Sequence, residues 1–290
     1  MSRLSGRPNA VASLLTGLID YAGLYPPASL DMRSAVSNYL RYQQGAHAAC
    51  LGRFVVSLDR MGELREVAGD ALGEMRLSVI VPPKTDWSRF TQMLGDLAGR
   101  VALEFKVNQV AEIQRINSQI PAYERYFELP IGVENDEILD AIATCGVRAK
   151  LRMGGVVAEA FPSARAVAVM LDALARRRIP FKGTAGLHHP IRSRHRLTYE
   201  AGSPEGMMHG FLNLAFAAAL LYFGGTAGEA LKILEEQDAG AWRVDDDVIA
   251  CRGFRWTADQ LAELRKEFFI SFGSCSFEEP IRELEVMGWL

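Results

Sequence analysis

Pro180-Phe181-Lys182-Gly183-Thr184-Ala185-Gly186-Leu187-His188-His189-Pro190 is the stretch on which the reading of the chain turns. It has the character of a short buried strand that ends in a glycine-rich turn, with a lysine inside the strand and two histidines just beyond it. An ammonium group taken out of water needs a partner or a ligand. Packing alone does not explain that combination, and a binding site is expected there.

Working outward, six strand-like segments precede it, at 18–22, 53–58, 75–81, 101–107, 123–129 and 147–153, and helical periodicity separates them. Helices are expected at 8–16, 30–44, 62–72, 110–117 and from about Glu134 to 143, with Trp87, Phe90, Met93, Leu94 and Leu97 on one face of another. The clearest follows the sixth strand. Ser163 caps it, Ala166, Val167, Met170, Leu171 and Leu174 form its apolar stripe, and Arg176, Arg177 and Arg178 sit at the negative end of its dipole. An eighth strand is expected at 269–273, after a helix whose Thr257 and Gln260 have capping-box spacing. Glu278, Glu279 and Pro280 open a last helix.

This alternation predicts an α/β fold, a (β/α)8 TIM-type barrel formed as a single domain over 1–290. A doubly wound open sheet is the alternative, but no GxGxxG follows the first strand. Strands seven and eight are separated by roughly 80 residues, far beyond ordinary loop length. Residues 187–256 are therefore expected to form a helical and hairpin insertion over the C-terminal face. It would contain a helix from Ser203-Pro204 to about Phe223, a second at 228–237, and a hairpin at 242–256 turning at Asp245-Asp246-Asp247.

Composition narrows the function classes. With 49% hydrophobic and 23% charged residues and a net charge of -3, the chain can build a large core and has no general attraction to nucleic acid or anionic membranes. Cys50, Cys145, Cys251 and Cys275 are scattered without a CxxC pair, which points to a reducing compartment. There is no secretory signal pattern, and the longest apolar run, 211–223, is too short to span a bilayer. A soluble cytoplasmic protein is expected, with no nucleic-acid or membrane partner and with room for a homo-oligomer.

Alternate strand residues share a face, and in a barrel one face points inward. On that face the sequence places Glu104 and Lys106 in strand four, Glu128 in five, Lys150 and Arg152 in six, and Lys182 and Thr184 in seven. Their neighbours Leu103, Phe105, Phe127, Leu129, Leu151 and Phe181 suit packing beneath helices. The converging charges form either a structural ion-pair network or a reactive site. Gly154-Gly155 after strand six, Gly183 to Gly186 after seven, and Ser274 and Ser276 after eight suit close approach to an anion, phosphate or carboxylate. His188, His189 and His209 allow a metal-dependent alternative, but no HExxH or HxH spacing is present, and no cofactor is expected. Arg192, Arg194 and Arg196, with His195, begin the insertion and could close over an anion. Cys275 reads as a structural thiol.

The strings LIDYAGLYPPASLDM, AKLRMGG, FKGTAGLHHP, HGFLNLAFAAALL and SFGSCSFEEP resemble a group of bacterial proteins of uncharacterised activity. Lys182 in Lys-Gly-Thr-Ala-Gly and Lys150 in Lys-Leu-Arg-Met-Gly-Gly are also similar to the lysine contexts of class I aldolases of the deoxyribose-phosphate type, in reversed order along the chain. That resemblance implies a lyase or isomerase acting on a small phosphorylated or carboxylated carbonyl compound. Lys182 would be the Schiff-base candidate, with its amine made available by nearby cations, and Lys150 its electrostatic partner. Glu104 or Glu128 would move protons. The remaining alternative is a non-catalytic barrel that binds a small anionic metabolite.

Overall fold

The computed structural model describes residues 8–83, 85–120, 122–132 and 136–290. Its strands are Ile19–Tyr21 (β1), Leu51–Ser57 (β2), Leu77–Val81 (β3), Val101–Lys106 (β4), Glu124–Leu129 (β5), Arg148–Arg152 (β6), Phe181–Thr184 (β7), Ser193–Arg196 (β8), Glu205–Met208 (β9), Trp242–Val244 (β10), Val248–Cys251 (β11), Phe254–Thr257 (β12) and Phe269–Ser274 (β13). The helices are Asn9–Leu15 (α1), Met32–Gln44 (α2), Met61–Ala68 (α3), Trp87–Leu94 (α4), Val110–Gln119 (α5), Asp136–Thr144 (α6), Ala164–Arg176 (α7), Phe211–Tyr222 (α8), Ala227–Leu234 (α9), Ala258–Glu267 (α10) and Glu278–Val286 (α11).

Eight parallel strands close a barrel in the order β1-β13-β7-β6-β5-β4-β3-β2. Parallel neighbours require crossovers, and the helices that supply them cover the outside. This is the TIM-type barrel expected from the alternation. The Ser163 hydroxyl accepts from the Ala166 N–H at the start of α7, and Thr257 and Gln260 complete a capping box on α10. Of the expected helix from Glu134, the first two residues lie outside the described ones; α6 begins at Asp136.

The long segment between β7 and β13 divides into parts that do different things. Residues 205–208, expected within a helix, instead pair antiparallel with β8. The helix starts only at Phe211, after Gly210. A side chain at Gly210 would meet the Pro190 carbonyl at 2.4 Å and the Arg192 nitrogen at 2.6 Å, so the chain turns there against its own backbone. The α8 helix is apolar on every side because it is covered on every side, by the β13 layer through Phe211 on Phe272 and by Trp242 and Trp256 on Phe216. The segment 242–256 forms a three-stranded sheet, not one hairpin, and it lies in the outer layer against α1 and α10. The β8–β9 hairpin reaches the C-terminal rim, where Tyr199 donates to Glu279 at 2.9 Å. Among the described residues no helix is long and apolar enough to cross a membrane.

The glycines after β6 and β7 are packed. A side chain on Gly154 would meet Phe161 at 2.4 Å, and one on Gly186, whose φ is +69°, would meet Phe161 at 2.7 Å and the Gly154 Cα at 2.9 Å. Gly186→Ala is expected to cost about 1–3 kcal/mol, from left-handed strain together with that crowding. Chemical denaturation should show a lower midpoint at unchanged slope; an unchanged midpoint would contradict the packing role.

Candidate active site

The barrel interior is polar where barrels are usually filled by branched apolar side chains. Register explains the convergence: Lys150 on β6 pairs with Lys182 on β7 and with Glu128 on β5, and Lys182 pairs with Ser271 on β13. Alternation turns all of these toward the axis. Phe127, Leu151 and Phe181 turn to the helices and are buried there.

Lys182 is 1% exposed and donates to Asp20 Oδ2 at 2.8 Å, Ser78 Oγ at 3.1 Å and Glu104 Oε1 at 2.6 Å. Its Nζ also stands 5.0 Å from the centre of the Tyr126 ring. Asp20 is fixed in turn by the Ser271 hydroxyl at 2.9 Å and the Arg53 backbone N–H at 2.8 Å. Glu104 bridges the two lysines: its Oε1 takes Lys182 and the Ser78 hydroxyl, and its Oε2 lies 2.7 Å from Lys150 Nζ. Lys150 also meets Glu128 Oε2 at 2.8 Å, and Glu128 Oε1 accepts from Arg152 Nε at 3.0 Å.

The electrostatics follow. Burial opposes the charge on Lys182, but Asp20 and Glu104 outweigh it and hold the ammonium well above the ordinary lysine value. This corrects the sequence expectation for Lys182, because the charges that touch its amine are carboxylates and not cations. Burial would raise Glu104 and Glu128, yet Lys150 and Lys182 hold Glu104 below the usual carboxylate range, and Lys150 and Arg152 lower Glu128. With folded values below the unfolded ones, both contribute stability above about pH 4.3, lost as pH falls.

Above the lysines a cavity of about 350 Å³ opens at the C-terminal ends of the strands. Lys150, Lys182, Glu104 and Arg152 form part of its wall, with Thr184 beside them and Tyr25, His188 and Cys275 from the loops after β1, β7 and β13. A groove of about 480 Å³ between α6 and α7 lies outside the barrel and away from these groups.

The other sequence candidates separate. Lys106 is exposed at the end of β4 and is not part of the cavity wall. Gly155 lines the cavity, whereas Gly183 faces outward, where a side chain would meet Leu187 at 2.7 Å and Leu214 at 3.1 Å. Ser276 accepts from the Glu279 N–H in the first turn of α11, and the buried Ser274 lies 3.4 Å from His188 Nδ1. The three histidines point to different places. His188 Nδ1 faces Glu279 at 3.2 Å, while His189 Nδ1 faces Glu283 at 2.6 Å and its ring stacks on His195. His209 is lowered to about 4 by burial and its Nε2 bonds the Pro162 carbonyl at 2.7 Å. Among the described residues no three histidine, cysteine or carboxylate side chains group as metal ligands.

His188, in the loop after β7, forms a second charged cluster. Burial disfavours its imidazolium, but contacts with Cys275 and the Glu279 carboxylate raise it to about 9. A histidine raised above its unfolded value of about 6.5 contributes stability that is complete below that pH and lost as pH rises through about 9. Glu279→Gln should lower the His188 midpoint by about one unit or more in a histidine NMR titration. An unmoved midpoint would remove Glu279 as a cause.

Sequence reasoning missed Asp20, Ser78, Ser271, Tyr25 and the His188–Glu279–Tyr199 cluster. Asp20 carried a legible signal as the one charge in the apolar segment 18–22.

No family model matches the chain, and no curated protein matches it. Among solved structures, one described as QR15, an aldolase, is 13% identical and aligns over 59% of this chain and 80% of its own, with a TM-score of 0.41. A likeness this weak assigns no chemistry.

Proposed function

We propose that the protein is a barrel enzyme, a lyase or isomerase, that forms a Schiff base between Lys150 and a small carbonyl compound. The observation that carries this reading is the pairing of Lys150 and Lys182 across one carboxylate, Glu104, beneath an open cavity.

The two lysines are not equivalent. An ammonium has three N–H donors, and Lys182 directs them to three buried acceptors. Freeing its lone pair would strand Asp20 and Glu104. Lys150 has two carboxylate partners, which leaves one direction for a substrate carbonyl. Either carboxylate is within reach to take the proton that Lys150 gives up as it attacks. The C–N bond then forms, two protons from the Lys150 nitrogen pass by way of the carboxylate to the carbonyl oxygen, which leaves as water, and an iminium cation remains. Lys182 is a fixed positive charge that holds Glu104 in place, which reverses the roles given by the lysine contexts alone.

Borohydride reduction in the presence of small carbonyl compounds tests the reading. The expected result is a stable covalent mass gain of one carbonyl unit per chain, requiring both compound and reductant. A folded protein that gains no mass with any compound it turns over contradicts it.

A further inference from the structure

Phosphate binding at a barrel mouth is favoured by unpaired cations aimed at the ligand, and the described residues that line this mouth offer none. Each cation that reaches the cavity already has a carboxylate: Lys182 has Asp20 and Glu104, Lys150 has Glu104 and Glu128, Arg152 has Glu128, and His188 has Glu279. Four cationic side chains therefore face four carboxylates, and the site is balanced before any ligand enters. Condensation of Lys150 with a carbonyl leaves that balance unchanged, because the ammonium becomes an iminium that carries the same single positive charge.

The glycines expected to cradle an anion are tightly packed, and several loop groups are already bonded. Gly154 and Gly186 close on Phe161, and Gly183 closes on Leu187 and Leu214. In the loop after β13, the Ser276 N–H donates to Ser274 Oγ and the Glu279 N–H to Ser276 Oγ. After β1, the Ala22 N–H donates to the Ser274 carbonyl. The donors left for a ligand are dispersed. Among the described side chains of the cavity wall they are the terminal guanidinium nitrogens of Arg152, whose side chain is 53% exposed, together with His188 Nε2 and the hydroxyls of Thr184 and Tyr25. That set suits hydroxyl groups or one carboxylate, and it does not suit the two charges of a phosphate monoester.

From this we infer that the substrate is an unphosphorylated short-chain carbonyl compound carrying at most one negative charge. The inference rests on the Schiff-base reading and narrows it, replacing the phosphorylated class suggested by the lysine contexts. The cavity of about 350 Å³ lies at the small end of ligand pockets and agrees with a short chain.

Dihydroxyacetone and dihydroxyacetone phosphate present the same ketone with and without the dianion, and pyruvate presents one carboxylate. In borohydride trapping on the intact protein, dihydroxyacetone and pyruvate should be incorporated on the order of 10-fold faster than dihydroxyacetone phosphate, the effect of an extra charge with no partner. Faster or equal trapping of the phosphate ester overturns the inference and leaves the Schiff base standing. If no ketone is trapped, the Schiff-base reading falls, and calorimetry with inorganic phosphate still tests the charge balance. Saturable binding at millimolar phosphate that competes with sulfate overturns it, and no saturable binding supports it.

Discussion

Lys182→Met should unfold at a temperature roughly 10 °C below the parent, because removing one partner from a buried ionic cluster costs about 3–5 kcal/mol. The methionine fills much of the lysine's volume, so the loss comes from charge and not from a cavity. Asp20 and Glu104 are left as buried carboxylates, with Ser271, Ser78 and Lys150 as their remaining side-chain partners. Two further measurements separate this cause from simple mispacking. A carboxylate stranded in the interior has a raised pKa, so the variant's deficit should shrink as pH falls from 7 toward 5. The double variant Lys182→Met with Asp20→Asn should recover part of the lost stability. A pH-independent deficit in thermal unfolding, with no recovery in the double variant, would place the cost in packing.

The second large effect belongs to Lys150. Lys150→Arg keeps a cation between Glu104 and Glu128, and the fold should tolerate it with little change in unfolding temperature. It cannot form an imine, because the guanidinium stays protonated at any working pH. Turnover of a carbonyl substrate should therefore fall by about 10³-fold or more, while substrate binding changes far less. If Lys150 only stabilises the barrel, the arginine variant retains activity close to that of the parent. Lys182→Arg behaves differently in this account: three acceptors fitted to an ammonium do not fit a planar fork, so both stability and activity should decline.

Most of the fold was legible in the sequence, because each strand carried a local pattern. Runs such as Val101–Lys106 and Phe181–Thr184 are short, β-rich and bounded by turns, and the helices between them have caps and apolar stripes that need no tertiary knowledge. The segment after β7 was less legible. Residues 203–210 continue the apolar spacing of α8, so periodicity merged a strand, a turn and a helix. What separates them is the tight approach of Gly210 to residues 190–192, a contact that has no local signature.

The site was legible to the extent that strand alternation governs it. Glu104, Glu128, Lys150, Arg152 and Lys182 were expected on the inner face and meet there. Lys106 was misplaced because alternation gives a side and not a depth, and at the strand end that side opens to solvent. The roles of the lysines depended on partners from distant strands. Ser78 and Asp20 lie 104 and 162 residues from Lys182, and no spacing rule connects them. Those partners, together with Glu104, turn the amine expected to be free into a fixed ammonium.

The measurement that bears most directly on this account is the location of the reduced adduct. After borohydride trapping and proteolysis, peptide mass mapping should place the modification on Lys150 and leave Lys182 unmodified. An adduct on Lys182, or one that persists at full yield in the Lys150→Arg variant, would contradict it.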